Sequence, residues 1–136
     1  MVNQKLSPSL TGSIIINSIY IMTTEEIQAI CKKLPGVTED IKWGHDLVFS
    51  VGSKMFCVVG LDQSPTTASF KVKDEDFDAM CSKQGFKAAP YVAKYKWVWT
   101  DDISRMSKKE WEKNIRQSYE LVKDKLSAKV KKQLGI

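Results

Sequence analysis

The sequence predicts an α+β fold, a two-layer sandwich in which an antiparallel sheet is backed by helices. Three neighbouring segments between short turns each predict a strand, and together they have one apolar face and one mixed face, which is typical of an antiparallel meander. The segments before and after the meander repeat apolar residues every three or four positions, which indicates amphipathic helices. With 136 residues, 43% hydrophobic and 27% charged, the chain is large enough for one globular domain with its own core.

The predicted meander covers residues 47–73. Its strands are Leu47–Val51, Lys54–Gly60 and Thr66–Lys73. A two-residue turn at Gly52-Ser53, of the type with glycine first, joins the first two strands. Because side chains alternate along a strand, we expect one face of the middle strand to carry Met55, Cys57 and Val59, and the other face Phe56 and Val58. The inward residues of the third strand are Ala68, Phe70 and Val72.

Three helices are predicted, and two of them begin at a capping box. Thr23 pairs with Glu26 at the start of the first helix, and Ser107 pairs with Glu110 at the start of the last. Asp74 is the predicted N-cap of the middle helix. The last helix is the longest, and its apolar stripe consists of Trp111, Ile115, Tyr119, Val122 and Leu126. We expect the lysine-rich tail after it to fray.

Residues 37–46 are predicted to form a loop. The loop contains Trp43, interpreted as a lid on the core, and His45, the only histidine of the chain. General acid–base chemistry needs a partnered base, and no Cys or Ser lies at a suggestive distance from His45 in the sequence. We therefore interpret His45 as a loop residue with a structural hydrogen bond or none.

Residues 1–22 differ from the rest and are predicted to be an N-terminal extension, arising from a non-native start or disordered. The apolar run 14–22 is interrupted by Asn17 and Ser18, and it is shorter than the roughly 20 residues that span a bilayer. An added edge strand is the alternative for this run. We favour Met22 as the natural start, because a clean domain of residues 23–136 follows it.

The cysteine pattern predicts neither a disulfide framework nor a metal centre. Cys31, Cys57 and Cys81 are odd in number and widely spaced, whereas a zinc site needs close ligand pairs. The acids at 74–78 are explained by a helix start, and they lack the pattern of a calcium loop. We therefore expect a reduced, cytoplasmic protein without metal or cofactor.

The formal charge of +5 belongs mainly to the chain ends. Residues 22–122 hold fifteen Lys or Arg and fifteen Asp or Glu, so their net charge is zero. Within this part, the segment 79–100 is distinctive, because it has four lysines and no acid. Its aromatic end alternates as a strand from Lys96 to Thr100, which places Trp97 and Trp99 together on one face, interpreted as the core face.

Several short motifs together carry a family resemblance. They are Leu34–Glu39, Trp43-Gly44, Phe49–Phe56, Lys71, Ala89–Lys94, Trp97-Val98 and Ser118–Val122. From about Thr23 to about Lys129, the sequence resembles the MmcQ/YjbR family of small bacterial proteins. The resemblance implies a CyaY-like two-layer fold, and it also implies a DNA-binding protein with a double-wing motif.

The leading hypothesis is therefore DNA binding by a monomer through a basic, aromatic-containing face. The residues expected on this face are Lys54, Lys71, Lys73, Lys94, Tyr95 and Lys96. Lysines would neutralise phosphates, and the tyrosine would stack on a base.

The alternative hypothesis is a non-enzymatic module that binds a small molecule or a protein. Its aromatic-lined groove would be formed by Trp43, Tyr91, Tyr95, Trp97 and Trp99, with Lys94 or Lys96 receiving an anion. An enzyme is least favoured, because it needs a partnered nucleophile or a carboxylate pair in a cleft.

Overall fold

The computed structural model describes residues 14–16 and 19–136, and for residues up to 20 it describes the backbone alone. Its helices are α1 (Thr24–Lys32), α2 (Asp74–Cys81), α3 (Lys108–Lys123) and α4 (Ala128–Leu134). Its strands are β1 (Ile14–Ile16), β2 (Ile19–Ile21), β3 (Val37–Lys42), β4 (Asp46–Val51), β5 (Lys54–Gly60), β6 (Thr67–Lys71), β7 (Phe86–Ala88) and β8 (Trp97–Thr100).

Six strands form one antiparallel sheet in the order β3-β4-β5-β6-β8-β7. Helix α3 lies across β4, β5 and β6, α1 packs against α3 and β3, and α2 lies beside β7 and β8. One buried cluster of apolar side chains fills the space between the two layers. The α+β prediction, an antiparallel sheet backed by helices, is confirmed.

The strand register gives the sheet two different faces. Phe49, Cys57, Phe70 and Val98 are consecutive partners across four strands, and all four belong to the core beneath the helices. The adjacent row is Val48, Val58, Ser69, Trp99 and Lys87. Because side chains alternate along each strand, this second row lies on the opposite face, called the open face below.

A β-bulge in β5 corrects the predicted orientation of its side chains. Phe49 is opposite Cys57 and Ser50 is opposite Met55, so Phe56 is an extra residue without a partner on β4. Phe56 and Cys57 are therefore both buried in the core, and Met55 turns to the open face with Val58. The prediction that Met55 shares a face with Cys57 is wrong.

Two strands occur where the sequence predicted none. Residues 37–42 form the edge strand β3 rather than a loop, and Phe86–Ala88 forms the opposite edge, β7. The turn at Gly52-Ser53 has positive φ at both residues, 57° and 65°, so it is the mirror-image type I turn and not the predicted type.

Both predicted capping boxes are confirmed, whereas two other helix predictions are wrong. The N-cap of α2 is Lys73, which makes no side-chain cap bond, and Asp74 is the first helical residue. The tail does not fray after α3 but forms α4, capped by the hydroxyl of Ser127. Val130 and Ile136 from this tail pack against the core.

The N-terminal strands β1 and β2 form an antiparallel pair separate from the six-stranded sheet. Met22 is buried in the core, and its backbone N–H donates to the Ser104 hydroxyl at 2.9 Å, so the folded body includes the residue that was assigned to the extension. Predictions about residues 1–13 and 17–18 lie outside the described residues. None of the described helices has the length and hydropathy of a membrane-spanning segment.

Candidate functional site

The open face of the sheet carries a cleft of about 460 Å³. Its floor comes from three adjacent strands, with Met55 and Val58 on β5, Ser69 on β6 and Trp99 on β8. Met55 reaches this floor because the bulge at Phe56 reverses its orientation. The floor is mostly apolar, and the Ser69 hydroxyl adds a polar group at its centre.

The two walls of the cleft each present an aromatic residue in a left-handed backbone conformation. Trp43, at φ 56°, lies in the β3–β4 turn and is 63% exposed. Tyr91, at φ 69°, lies in the loop between β7 and β8 and is fully exposed. A positive φ costs a bulky residue about 1 kcal/mol or more. Such strain at exposed aromatic side chains is characteristic of functional sites rather than of packing.

One end of the cleft carries the polar pair His45 and Asp46. The His45 Nδ1 atom lies 3.0 Å from Oδ1 of Asp46, and 4.0 Å from Oδ1 of Asp62. The side chain of His45 is half exposed, whereas that of Asp46 is 23% exposed. The structural hydrogen bond considered for His45 is therefore present, and its partner is the next residue in the chain.

The edge strand β7 adds a cation beside the cleft. The Nζ atom of Lys87 lies 4.7 Å from the centroid of the Trp99 ring, within the range of a cation–π interaction. Trp99 is thus shared between the cleft and this lysine.

Lys71, Lys96 and Lys125, called the lysine cluster below, influence one another electrostatically where β6 ends and β8 begins. Lys71 is the member on the open face. The Lys96 Nζ atom lies 5.0 Å from the ring centroid of Phe77 on α2, and Lys125 follows α3, so these two lysines are on the helix side. The Lys71 ammonium donates to the carbonyl of Tyr95, and the carbonyl of Lys96 accepts from the N–H of Val72 at 2.9 Å. Partial burial lowers the pKa of Lys71 below its usual value, and the nearby charges of Lys125 and Lys96 lower it further. Asp74 opposes this shift.

The predicted basic face is brought together only in part. Lys71 and Lys96 belong to the lysine cluster, Tyr95 contributes its carbonyl, and the Lys94 ammonium lies 5.1 Å from the Tyr95 ring centroid. Lys54 and Lys73 are not among the charges that lower the pKa of Lys71. Those two lysines are exposed, at the start of β5 and at the N-cap of α2.

The lysine cluster also includes a residue that the prediction omitted. Lys125 was assigned to a fraying tail, but it follows α3 closely enough for its charge to lower the pKa of Lys71.

The predicted aromatic groove exists with a different lining. Trp43, Tyr91 and Trp99 line the cleft, whereas Tyr95 and Trp97 do not. The core interpretation is wrong for Trp99, which lines the cleft on the face opposite to the core residue Val98. Trp97 is nevertheless buried, on the open side of the sheet.

Fold and site together define a two-layer α+β domain whose sheet is covered by helices on one face and carries an aromatic cleft on the other. The family model described as YjbR matches residues 32–121, more than half of the chain. The protein therefore belongs to the YjbR family, as the sequence motifs indicated.

Two crystal structures are similar to this fold. A Deinococcus radiodurans protein with the domain DUF419 has a TM-score of 0.75 and 24% identity, over 84% of this chain and 88% of that chain. A Pseudomonas syringae protein has a TM-score of 0.60 and 19% identity, over 74% of this chain and 99% of that chain. At these identities the likeness shows the fold alone. No curated protein matches the sequence.

Within the described part of the chain, no group of three or more His, Cys, Asp or Glu side chains is placed to hold a metal ion.

Proposed function

We propose that the domain is a binding module whose ligand enters the aromatic cleft of the open face. The observation that carries this proposal is the exposure of Trp43 and Tyr91, two strained aromatic residues, on opposite walls of a cleft of about 460 Å³. Small-molecule sites have volumes of roughly 300–1,000 Å³, mostly apolar linings and a few polar groups that orient the ligand. Asp46, Ser69 and His45 supply those polar groups here.

The proposal is one of binding rather than catalysis. A nucleophile activated by His45 would have to lie within hydrogen-bonding distance of its imidazole. Among the described side chains, the hydrogen-bonding partner of that ring is the Asp46 carboxylate, which is not such a nucleophile. A pair of this kind can orient a ligand by accepting and donating hydrogen bonds.

The cleft can be tested with a neutral aromatic probe, N-phenyl-1-naphthylamine, whose fluorescence rises in apolar surroundings. Trp43→Ala and Tyr91→Ala should each weaken probe binding by about tenfold, which corresponds to ~1.4 kcal/mol. Tyr95→Ala is the matched control, since Tyr95 is exposed in the same loop but does not line the cleft. Unchanged probe binding in both cleft variants would refute the proposal.

DNA binding is the second candidate, and the lysine cluster specifically favours it. Lys125, from the basic chain end, acts with Lys71 and Lys96 of the otherwise neutral segment 22–122, so three like charges influence one another at the end of β6. Each lysine that neutralises a phosphate adds about 0.9 to the slope of log affinity against log salt. Lys71→Glu combined with Lys94→Glu should weaken duplex binding and reduce this slope, whereas Lys109→Glu, on the exposed surface of α3, should not.

We also propose that the protein is a monomer and that it works in the cytoplasm. The support for this compartment is the state of the thiols, because Cys31, Cys57 and Cys81 are all free cysteines. Free thiols persist in reducing compartments.

A further inference from the structure

The cleft and Lys71 follow one another along the open face of β6, and we infer that together they form a site for an unpaired nucleotide. The base occupies the cleft and the phosphate contacts the Lys71 ammonium. This inference rests on the proposed function, because it names the ligand class of the same cleft.

The spacing along β6 fits a base next to a phosphate. Ser69 lines the cleft and Lys71 follows two residues later on the same face, about 7 Å away at the rise of a strand. The loop of Tyr91, which forms one wall, continues to Tyr95, whose carbonyl accepts from Lys71. The wall of the cleft and the first lysine of the cluster are therefore held by one segment.

The charges at the two ends of this surface are opposite. Asp46 is in register with Gly60, which pairs with Thr67 on β6, four residues before Lys71. The acidic end and the basic end are therefore separated by roughly 13 Å along the strand direction. A matching ligand has N–H donors at one end and an anion at the other, as a nucleotide with an exocyclic amino group does.

The aromatic walls suit a planar base. Trp43 and Tyr91 expose their rings at the rims of the cleft, and stacking of a base on such a ring contributes about 1–3 kcal/mol. The Asp46 carboxylate is an acceptor for an amino group such as N4 of cytosine. A base in a duplex is stacked and paired, so it has to leave the helix to reach these groups.

The same residues argue against a cationic ligand. An aromatic site for a quaternary ammonium would need the face of Trp99 to be free for the cation. The Lys87 ammonium lies 4.7 Å from that ring, so a second positive charge there would be repelled. With Lys71 beyond Ser69 on the same face of β6, positive charge borders the cleft on two sides, which favours an anionic ligand.

Calorimetric titrations of the full chain with cytidine 5′-monophosphate, cytidine, uridine 5′-monophosphate and inorganic phosphate test this inference. We expect cytidine monophosphate to bind at least about fivefold more tightly than each of the other three, since both ends of the site must be filled. Equal affinity for cytidine monophosphate and cytidine, or for the cytosine and uracil nucleotides, would overturn the inference.

Two variants test which end of the site binds the phosphate and which end binds the amino group of the base. Lys71→Gln should weaken the binding of cytidine monophosphate by about fivefold or more and leave cytidine unchanged. Asp46→Asn should reduce the preference for cytosine over uracil, because a carboxylate that accepts from the amino group is lost. Lys109→Gln on α3 is the control. Unchanged nucleotide binding in Lys71→Gln would count against the assigned phosphate position and so against the shared site.

The nucleotide could come from a nucleic acid or be free in solution. Binding of a short single-stranded oligocytidine, and of the duplex that it forms with its complement, distinguishes these two sources. Tighter binding of the single strand than of the monophosphate supports the inference with a nucleic acid as the source, and equal binding per site supports it with a free nucleotide. Tighter binding of the duplex overturns it. If no nucleotide binds, but the binding of N-phenyl-1-naphthylamine still depends on Trp43 and Tyr91, the inference is wrong while the proposed function of the cleft stands.

Discussion

The hydroxyl of Ser118 donates a hydrogen bond of 2.6 Å to the carbonyl of Phe56, the extra residue of the β5 bulge. The same oxygen accepts the backbone N–H of Lys71 at 2.9 Å, so one buried hydroxyl on α3 connects the bulge to the end of β6. The bulge turns Met55 into the cleft, and Lys71 begins the lysine cluster. A residue on the helix side thus supports both parts of the site on the open face.

Replacing Ser118 by alanine should lower the free energy of unfolding by about 1–3 kcal/mol, since it leaves a buried carbonyl and a buried N–H unpaired. Chemical denaturation measures this loss. Ser82→Ala is the matched control, because the Ser82 hydroxyl bonds to the Asp78 carbonyl at an exposed position. If the two variants were equally stable, the support attributed to Ser118 would be absent.

A comparison of two glycines separates backbone strain from steric conflict. Gly44, at φ 79°, has open space where a Cβ atom would be, so Gly44→Ala should cost about 1 kcal/mol of conformational strain. At Gly52, with φ 57°, a Cβ atom would lie 2.7 Å and 2.8 Å from the two methyl carbons of Leu126. Gly52→Ala should therefore lose a further ~1–3 kcal/mol through overpacking.

Thermal or chemical unfolding of both glycine variants measures the difference. A loss for Gly52→Ala no larger than that for Gly44→Ala would mean that Leu126 does not pack against the β4–β5 turn in solution.

Tyr119 makes the free energy of unfolding depend on pH in the alkaline range. Burial raises its pKa above the usual value of 10.0, with a smaller contribution from the charge of Glu120. A raised pKa means that the folded state holds the phenol proton more tightly than the unfolded chain. The stabilisation that the protonated phenol gives to the folded state is fully present below pH ~10, and it is lost as the pH rises through the pKa of the folded state.

Tyr119→Phe should cost about 1 kcal/mol near neutral pH, because the phenol donates to the Pro35 carbonyl. The phenylalanine ring can keep the edge-on contact with Phe56. The gap between wild type and variant should then narrow as the pH rises above about 10, since only the wild type loses the phenol contribution. Urea unfolding at several pH values checks this, and a constant or widening gap would contradict it.

Local chemistry made several features predictable from the sequence. A capping box is complete within four residues, so Thr23 with Glu26 and Ser107 with Glu110 could be identified without tertiary information. Strict alternation likewise predicted the inward direction of the third strand of the meander.

Features that depend on tertiary contacts could not be predicted in the same way. The bulge at Phe56 has no local signal, because every side chain from Met55 to Val59 is apolar. β3 was missed because acids are depleted in strands, and Glu39 and Asp40 are tolerated here at an exposed edge.

The open face was misassigned for a related reason. Trp97 and Trp99 alternate with Val98 and Thr100, and both pairs can pack in a core, so alternation alone does not say which pair faces the helices. The order of the strands decides it, because Val98 is paired with Phe70 in the core row. Asp46 and Ser69 were missed as cleft residues because they become neighbours of Trp99 only after the sheet has formed.

The most direct test of the cleft on the open face is a two-dimensional NMR spectrum of the tryptophan indole N–H groups during titration with N-phenyl-1-naphthylamine. The indole signals of Trp43 and Trp99 should shift, because both side chains line the cleft. Trp111 is an internal control, since its indole donates to the Ile103 carbonyl at 2.7 Å in the core. Shifts at Trp43 and Trp99 with an unchanged Trp111 signal are predicted; a shift at Trp111 alone would contradict the assigned cleft.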